Sequence, residues 1–304
     1  HAAPAPRITA TTGAMSALLP VPPMSSAPFL STPHRMSVPD GGPDRGYPAT
    51  LADCGTRLPN RHRHRPHRIC LEGLKFTVKG DQHIPATGGA VIAINHTGYM
   101  DFTYAGLPAR RVKRYVRFMA KKEVFDNKIS GPIMRALKHI PVDRAAGSDS
   151  YKAAVDFLRR GELVGVYPEA TISRSFEIKE FKSGAARMAI EANVPIVPVV
   201  IWGAQRVWTK GFPKRLGRTN TPISIAVGEP IQPFEPASEL TEKLHTTMTA
   251  MLADLQQGYD HPAGEYWVPA RLGGSAPTLD EANKMDAADA EAKAQARRSR
   301  ETGS

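Results

Sequence analysis

Ala90-Val91-Ile92-Ala93-Ile94-Asn95-His96-Thr97-Gly98-Tyr99-Met100-Asp101 is the stretch on which the fold turns. Its first five residues are apolar without alternation, the pattern of a strand covered on both faces. A polar segment containing Gly98 then breaks the run. His96 and Asp101 are five residues apart, too far round a straight helix to share one face. They meet if His96 lies on a strand-to-helix turn and Asp101 in the first helical turn. In that place the helix N-terminal dipole disfavours a charged imidazole. Asp101 would accept a hydrogen bond from one ring nitrogen and fix the tautomer, leaving His96 as a base toward a substrate hydroxyl.

Strands and helices alternate outward from this point. Leu74 to Gly80 alternates at period two, as a half-exposed strand does. Tyr115 to Ala120 and the short His139 to Val142 are further strand candidates, joined by a helical stretch, Lys121 to Lys138, interrupted near Gly131-Pro132. Ser148 caps a helix that Gly161 ends, and Leu163 to Tyr167 is another buried strand. A helix over Ser183 to Ala192 precedes a strand over Val194 to Trp202. Pro195 and Pro198 lack a ladder N–H, which predicts an edge or irregular place for that strand. Ile223 to Val227 is the last strand, and Glu235 to Gln257 a long helix. The expected fold is α/β: a single domain with a mixed, largely parallel sheet flanked by helices, with disordered or peripheral ends.

Composition sets the ends. Residues 1–67 are rich in Pro, Ala, Ser, Gly, Arg and His without strand or helix period, and are expected to be disordered. The domain is assigned to residues 68–262. Residues 263–304 form a tail whose Ala, Asp, Glu, Lys and Arg content suits an exposed charged helix. Cys54 and Cys70 have no metal-type spacing, and reduced thiols in the cytoplasm are expected. No stretch approaches the roughly 18 apolar residues of a membrane-spanning helix. Ala14 to Leu30 contains four prolines and does not read as a secretory signal. No Walker A loop, Gly-x-Gly-x-x-Gly fingerprint or Gly-x-Ser-x-Gly elbow occurs, which argues against nucleotide-cofactor enzymes and serine hydrolases.

Four blocks in order resemble the glycerolipid acyltransferase family, of the lysophosphatidate acyltransferase type. They are Asn95-His96 with Asp101, Gly131 through Ile140-Pro141-Val142-Asp143-Arg144, Tyr167-Pro168-Glu169-Ala170-Thr171, and Val194-Pro195-Ile196-Val197-Pro198-Val199. Lys182-Ser183-Gly184-Ala185-Ala186 also fits, and the resemblance spans about residues 71–230. It implies transfer of an acyl group from a thioester donor, acyl-CoA or acyl carrier protein, to a lysophospholipid or glycerol phosphate, in phospholipid synthesis. His96 would be the base and Asp101 its orienter. Arg144 with Glu169 and Thr171 would meet the acceptor phosphate, and Lys182 falls in the matching stretch. No metal and no cofactor beyond the donor thioester is implied. In the third block Ala170 and Ile172 stand where the family usually has Gly and Arg. Arg174, two residues on, offers a guanidinium from the same loop. Glu169 either holds the loop by pairing with a neighbour or touches the substrate.

The net charge of +11 fits an anionic partner. An anionic membrane surface is expected, at the cytoplasmic, inner face of the cell membrane, with no nucleic acid. Residues 206–218, with Trp208, Phe212, Lys210, Lys214, Arg215 and Arg218, suggest a docking segment helped by the basic run Arg110 to Arg117. Trp202 and Trp208 read equally as packing residues. Two other readings stay open: a different lyso-lipid or alcohol acceptor, and a non-catalytic basic lipid-binding protein on the same scaffold.

Overall fold

The computed structural model describes residues 68–69, 73–142 and 147–302. Residues 1–67, Cys70 and Arg144 lie outside them, so the expectations for the N-terminal segment, both cysteines and Arg144 are not addressed by the fold.

The strands are β1 (Arg68–Ile69), β2 (Leu74–Lys79), β3 (Ala90–Ile94), β4 (Val116–Lys121), β5 (Ile140–Val142), β6 (Leu163–Val166), β7 (Ile196–Trp202) and β8 (Pro222–Val227). The helices are α1 (Asp101–Ala105), α2 (Lys122–Asp126), α3 (Ser130–Ala136), α4 (Gly147–Arg159), α5 (Gly184–Ala192), α6 (Ala237–Gln257) and α7 (Leu279–Thr302). One sheet runs in the order β1-β2-β8-β7-β3-β6-β4-β5. From β7 to β5 all neighbours are parallel, whereas β8 is antiparallel to β7 and β1 to β2. The fold is therefore α/β with a mixed, largely parallel sheet.

Both faces of β3 are covered, which is why its sequence is apolar throughout. Val91 and Ala93 pack with α4, α5 and α6 side chains such as Leu158, Met188 and Leu244. Ala90, Ile92 and Ile94 face the opposite way, among Phe76, Tyr104 and Ile201. Each such aliphatic side chain contributes roughly 1.5–3 kcal/mol when fully buried. Leu74 and Phe76 of β2 point inward while Lys75 and Thr77 are exposed, as its period predicts.

Two expectations are corrected. β7 is not at an edge but lies between β3 and β8. Its Pro198 is tolerated because the carbonyl of that residue accepts from Gly228 N–H, just beyond the end of β8. The missing donor thus faces the side on which that ladder stops. The helical stretch after β4 breaks at residues 127–129, ahead of Gly131-Pro132. Pro132 falls in the first turn of α3, where the N–H that proline lacks would have had no intrahelical partner. A Cβ on Gly131 would lie 2.1 Å from the Phe125 carbonyl oxygen, so only glycine lets α2 and α3 approach this closely.

Beyond residue 262 the chain continues to pack on the body. Trp267, Val268, Ala276 and Ala282 are buried against the α6 side of the sheet or at the foot of α7.

His139 closes the β4–β5 edge by accepting the Phe118 backbone N–H at Nδ1, 3.1 Å away. Burial, with Arg117 nearby, pushes its imidazole down from 6.5 to about 4. The unfolded chain takes up this proton at higher pH than the folded one, so stability is lost as pH falls from about 6.5 to about 4. Urea unfolding across that window should show a shallower acid slope in His139→Gln. An unchanged slope would mean another group governs it.

Candidate active site

Asn95 ends β3 by bonding both ways to the neighbouring strand: its Nδ2 donates to Ile201 O at 3.0 Å and its Oδ1 accepts from Ile201 N at 2.7 Å. This clamp sets where the chain leaves the sheet, and His96 is the next residue. Its backbone is held on both sides, N–H donating to Glu169 Oε1 at 2.8 Å and C=O accepting from Ser173 N at 2.7 Å. The imidazole stacks on Tyr167 with ring centroids 4.0 Å apart and 19° between planes.

Asp101 opens α1 and is wholly buried. A single oxygen, Oδ2, accepts from His96 Nδ1 at 3.0 Å, Thr97 N at 2.8 Å and Gly98 N at 2.8 Å. With Asp101 Oδ2 as the acceptor, the imidazole carries its proton on Nδ1 and leaves the lone pair on Nε2. The turn between the two residues is tight. A Cβ on Gly98 would lie 2.8 Å from Trp208 O, and Tyr99 N donates to that same carbonyl at 3.0 Å. Thr209 Oγ1 donates to Thr97 O at 2.7 Å. The loop after β7 thereby braces the His96 turn.

Glu169 pairs with neighbouring backbone, the first of the two readings left open by its sequence position. With Oε1 on His96 N–H, its Oε2 accepts from Lys179 N at 3.1 Å, so both oxygens join loops together. Burial pushes this carboxyl up to about 8, against the pull of its two backbone donors. Ala170 adopts φ 62, a left-handed conformation in which glycine is favoured. Ile172 is buried. Thr171 is exposed, and its Oγ1 accepts from Lys179 Nζ at 2.7 Å.

Arg174 is not free toward solvent. Its guanidinium reaches Asp286 Oδ1 at 3.3 Å and Asp289 Oδ2 at 2.6 Å on α7. Lys179 Nζ meets Asp286 Oδ2 at 2.6 Å, and Lys210 Nζ meets Asp286 and Asp289 at 2.9 and 2.8 Å. Hydrogen bonds from Lys210 and Arg174 hold the Asp289 carboxyl down at about 2. Lys182 is not gathered into this cluster through its side chain, which is exposed. Its backbone N–H donates to Pro168 O at 2.9 Å.

Sequence reasoning gave no role to Asn95, Tyr167, Lys179 or Thr209. Asn95 and Tyr167 carried a signal, each standing in one of the four blocks.

Comparison with known proteins sharpens this geometry. The acyltransferase family matches residues 75–202, from β2 through β7 and across the whole His96 turn. Over those residues, less than half of its length, the chain is similar to that family. The 1-acyl-sn-glycerol-3-phosphate acyltransferase of Bacillus subtilis is 28% identical over 210 residues, 64% of this chain and 98% of that protein. The enzyme of the same name from Limnanthes douglasii is 30% identical over 149 residues, 47% of this chain and 50% of its own length. The human alpha form is 30% identical over 150 residues, and this chain spans 51% of it. The crystal structure of the Thermotoga maritima 1-acyl-sn-glycerophosphate acyltransferase superposes with a TM-score of 0.51 at 25% identity, covering 61% of this chain and 74% of that one. The chain thus shares its fold with the Thermotoga maritima enzyme, spans nearly the whole length of the Bacillus subtilis one, and spans about half the length of the plant and human ones.

Proposed function

We propose that this acyltransferase moves a fatty acyl group from a thioester donor, acyl-CoA or acyl carrier protein, to the free hydroxyl of 1-acyl-glycerol-3-phosphate. The observation that carries the reading is the His96–Asp101 pair, 3.0 Å apart at the C-terminal end of β3, in a chain whose relatives bear that activity in their names. With Nδ1 engaged by Asp101, His96 Nε2 takes the acceptor hydroxyl proton as the oxygen attacks the thioester carbonyl carbon. The C–O bond forms, the C–S bond breaks, and the imidazolium returns its proton to the departing thiolate. A thiolate leaves readily because its conjugate acid has a pKa near ~8.5, so one base suffices. Asp101 stabilises the imidazolium in between. Arg144, Thr171 and Arg174 are the groups proposed for the acceptor phosphate, with Lys182 as a further candidate cation.

A second reading, a different lyso-lipid acceptor, is favoured by one observation: a buried Ile172 stands where the family usually carries an arginine. Thiol release from a long-chain acyl-CoA, measured against a panel of lyso-lipids, distinguishes the two. Preference for 1-acyl-glycerol-3-phosphate supports the first. Thiol release with none of the panel would overturn both.

Asp286 and Asp289 sit on Arg174, the guanidinium proposed for the phosphate, and must yield when an anionic acceptor enters. Asp286→Asn with Asp289→Asn should therefore lower acceptor KM several-fold and leave donor KM unchanged. Arg174→Ala should raise acceptor KM roughly ten- to a hundred-fold, the effect of losing a charge-assisted hydrogen bond. Unchanged acceptor kinetics in both variants would move the phosphate site elsewhere.

The enzyme is proposed to work as a peripheral protein on the cytoplasmic face of an anionic cell membrane. Its charge of +11 supports this. Among the described residues no helix is long and apolar enough to cross a membrane.

A further inference from the structure

The short helices α2 and α3 turn one side inward and leave the other uncovered. Phe125 and Met134 are buried, whereas Val124 is 38% exposed, Ile129 80%, Ile133 56% and Leu137 41%. Among the described residues eleven large apolar side chains are exposed, and these four fall within one hairpin. The isoleucines are presented by a fixed turn. Asn127 Oδ1 accepts from Ile129 N and Ser130 N, and Ser130 Oγ donates to Val124 O. Arg135 Nη1 ties α3 to the Phe125 carbonyl at 2.7 Å, and Arg117 Nη1 holds the Leu137 carbonyl at 2.9 Å. An aliphatic surface of this kind on rigid backbone marks an interaction site.

Charge chooses the partner. Between residues 121 and 138 stand five bases, Lys121, Lys122, Lys128, Arg135 and Lys138, against two acids, Glu123 and Asp126. Two copies meeting through this face would bring like charges together. A surface combining apolar side chains with surrounding lysines and arginines matches the boundary of an anionic bilayer, with aliphatic groups below the headgroups and bases among them.

Topology places the hairpin beside the chemistry. β3, β6 and β4 are parallel neighbours, so Ile94, Val166 and Lys121 end on one edge of the sheet. His96 follows the first of these ends and α2 the last. The other candidate segment is less suited to insertion. Trp202 and Val207 are in the core, Phe212 stacks on Tyr266 with centroids 4.2 Å apart, and Lys214 lies over the Trp208 ring.

We propose that the α2–α3 hairpin, through Val124, Ile129, Ile133 and Leu137, docks this protein on an anionic lipid bilayer on the same edge as His96. The inference rests on the acyl-transfer reading for its purpose, and its test is separate. Co-sedimentation of the full chain with vesicles of phosphatidylcholine, with and without phosphatidylglycerol, is compared with an Ile129→Ser/Ile133→Ser/Leu137→Ser variant. Wild type should bind the anionic vesicles in a salt-sensitive way, and the variant at least tenfold more weakly. The variant should keep its thermal midpoint and its turnover of water-soluble short-chain substrates. Four results would overturn the docking surface: equal binding by variant and wild type; wild type that ignores anionic vesicles; binding lost through Phe212→Ser/Lys214→Glu instead; or a wild-type dimer in solution that the triple variant disperses. Loss of acyl transfer on soluble substrates by wild type, with docking intact, would count against the activity alone.

Discussion

His96→Ala should reduce kcat by about three to four orders of magnitude, the upper part of what a positioned general base contributes. Folding should survive, because the half-buried ring gives up only its stacking on Tyr167 and its bond to Asp101. Asp101 separates two parts of the effect. Its Oδ2 alone holds the imidazole and both turn amides, while the buried Oδ1 has no hydrogen-bond partner. Asparagine can therefore keep its oxygen on all three donors, and its rate loss, about a hundredfold or more, reports the missing charge beside the imidazolium. Alanine removes the orienting contact as well and should fall further. Thiol-release kinetics with circular dichroism on each variant checks this. Near-wild-type turnover in a folded His96→Ala variant would remove His96 from the reaction.

Glu169→Gln should have the next largest effect, although its carboxylate is assigned no contact with substrate. Two backbone donors, His96 N–H and Lys179 N–H, converge on its two oxygens in a buried place. Glutamine supplies one oxygen and turns its NH2 toward the other donor. One buried N–H is then unsatisfied, which destabilises by about 1–3 kcal/mol. Because that donor belongs to His96 or to the loop bracing Thr171, kcat should also drop, by about tenfold or more, with little change in either KM. Urea unfolding and steady-state kinetics measure the two effects. A variant with unaltered stability and a raised acceptor KM would instead make Glu169 a substrate contact.

Local features of this site were open to reading from the chain. The unbroken apolar run of β3 reports two covered faces, and the offset of His96 from Asp101 suits a strand, a turn and one helical turn. Both depend on side chains a few residues apart, where backbone geometry leaves few choices. The four ordered blocks carried the family in the same way. Less was legible in residues whose partners are distant. Lys179 drew no notice, yet it connects Glu169, Thr171 and Asp286. Arg174 looked like a free guanidinium because the carboxylates that meet it stand 112 and 115 residues further on.

By itself, then, the sequence determined the α/β alternation, the strand that delivers His96, and the closeness of His96 to Asp101. Tertiary structure alone decided that β7 is central despite Pro198, since that depends on where β8 happens to end. It alone turned Glu169 into a clamp on His96 and brought α7 onto Arg174, Lys179 and Lys210. The physical reason is common to these cases. A period or a turn is written in neighbouring residues, whereas a buried polar group is defined by which distant donors satisfy it, and the chain records that pairing nowhere along its length.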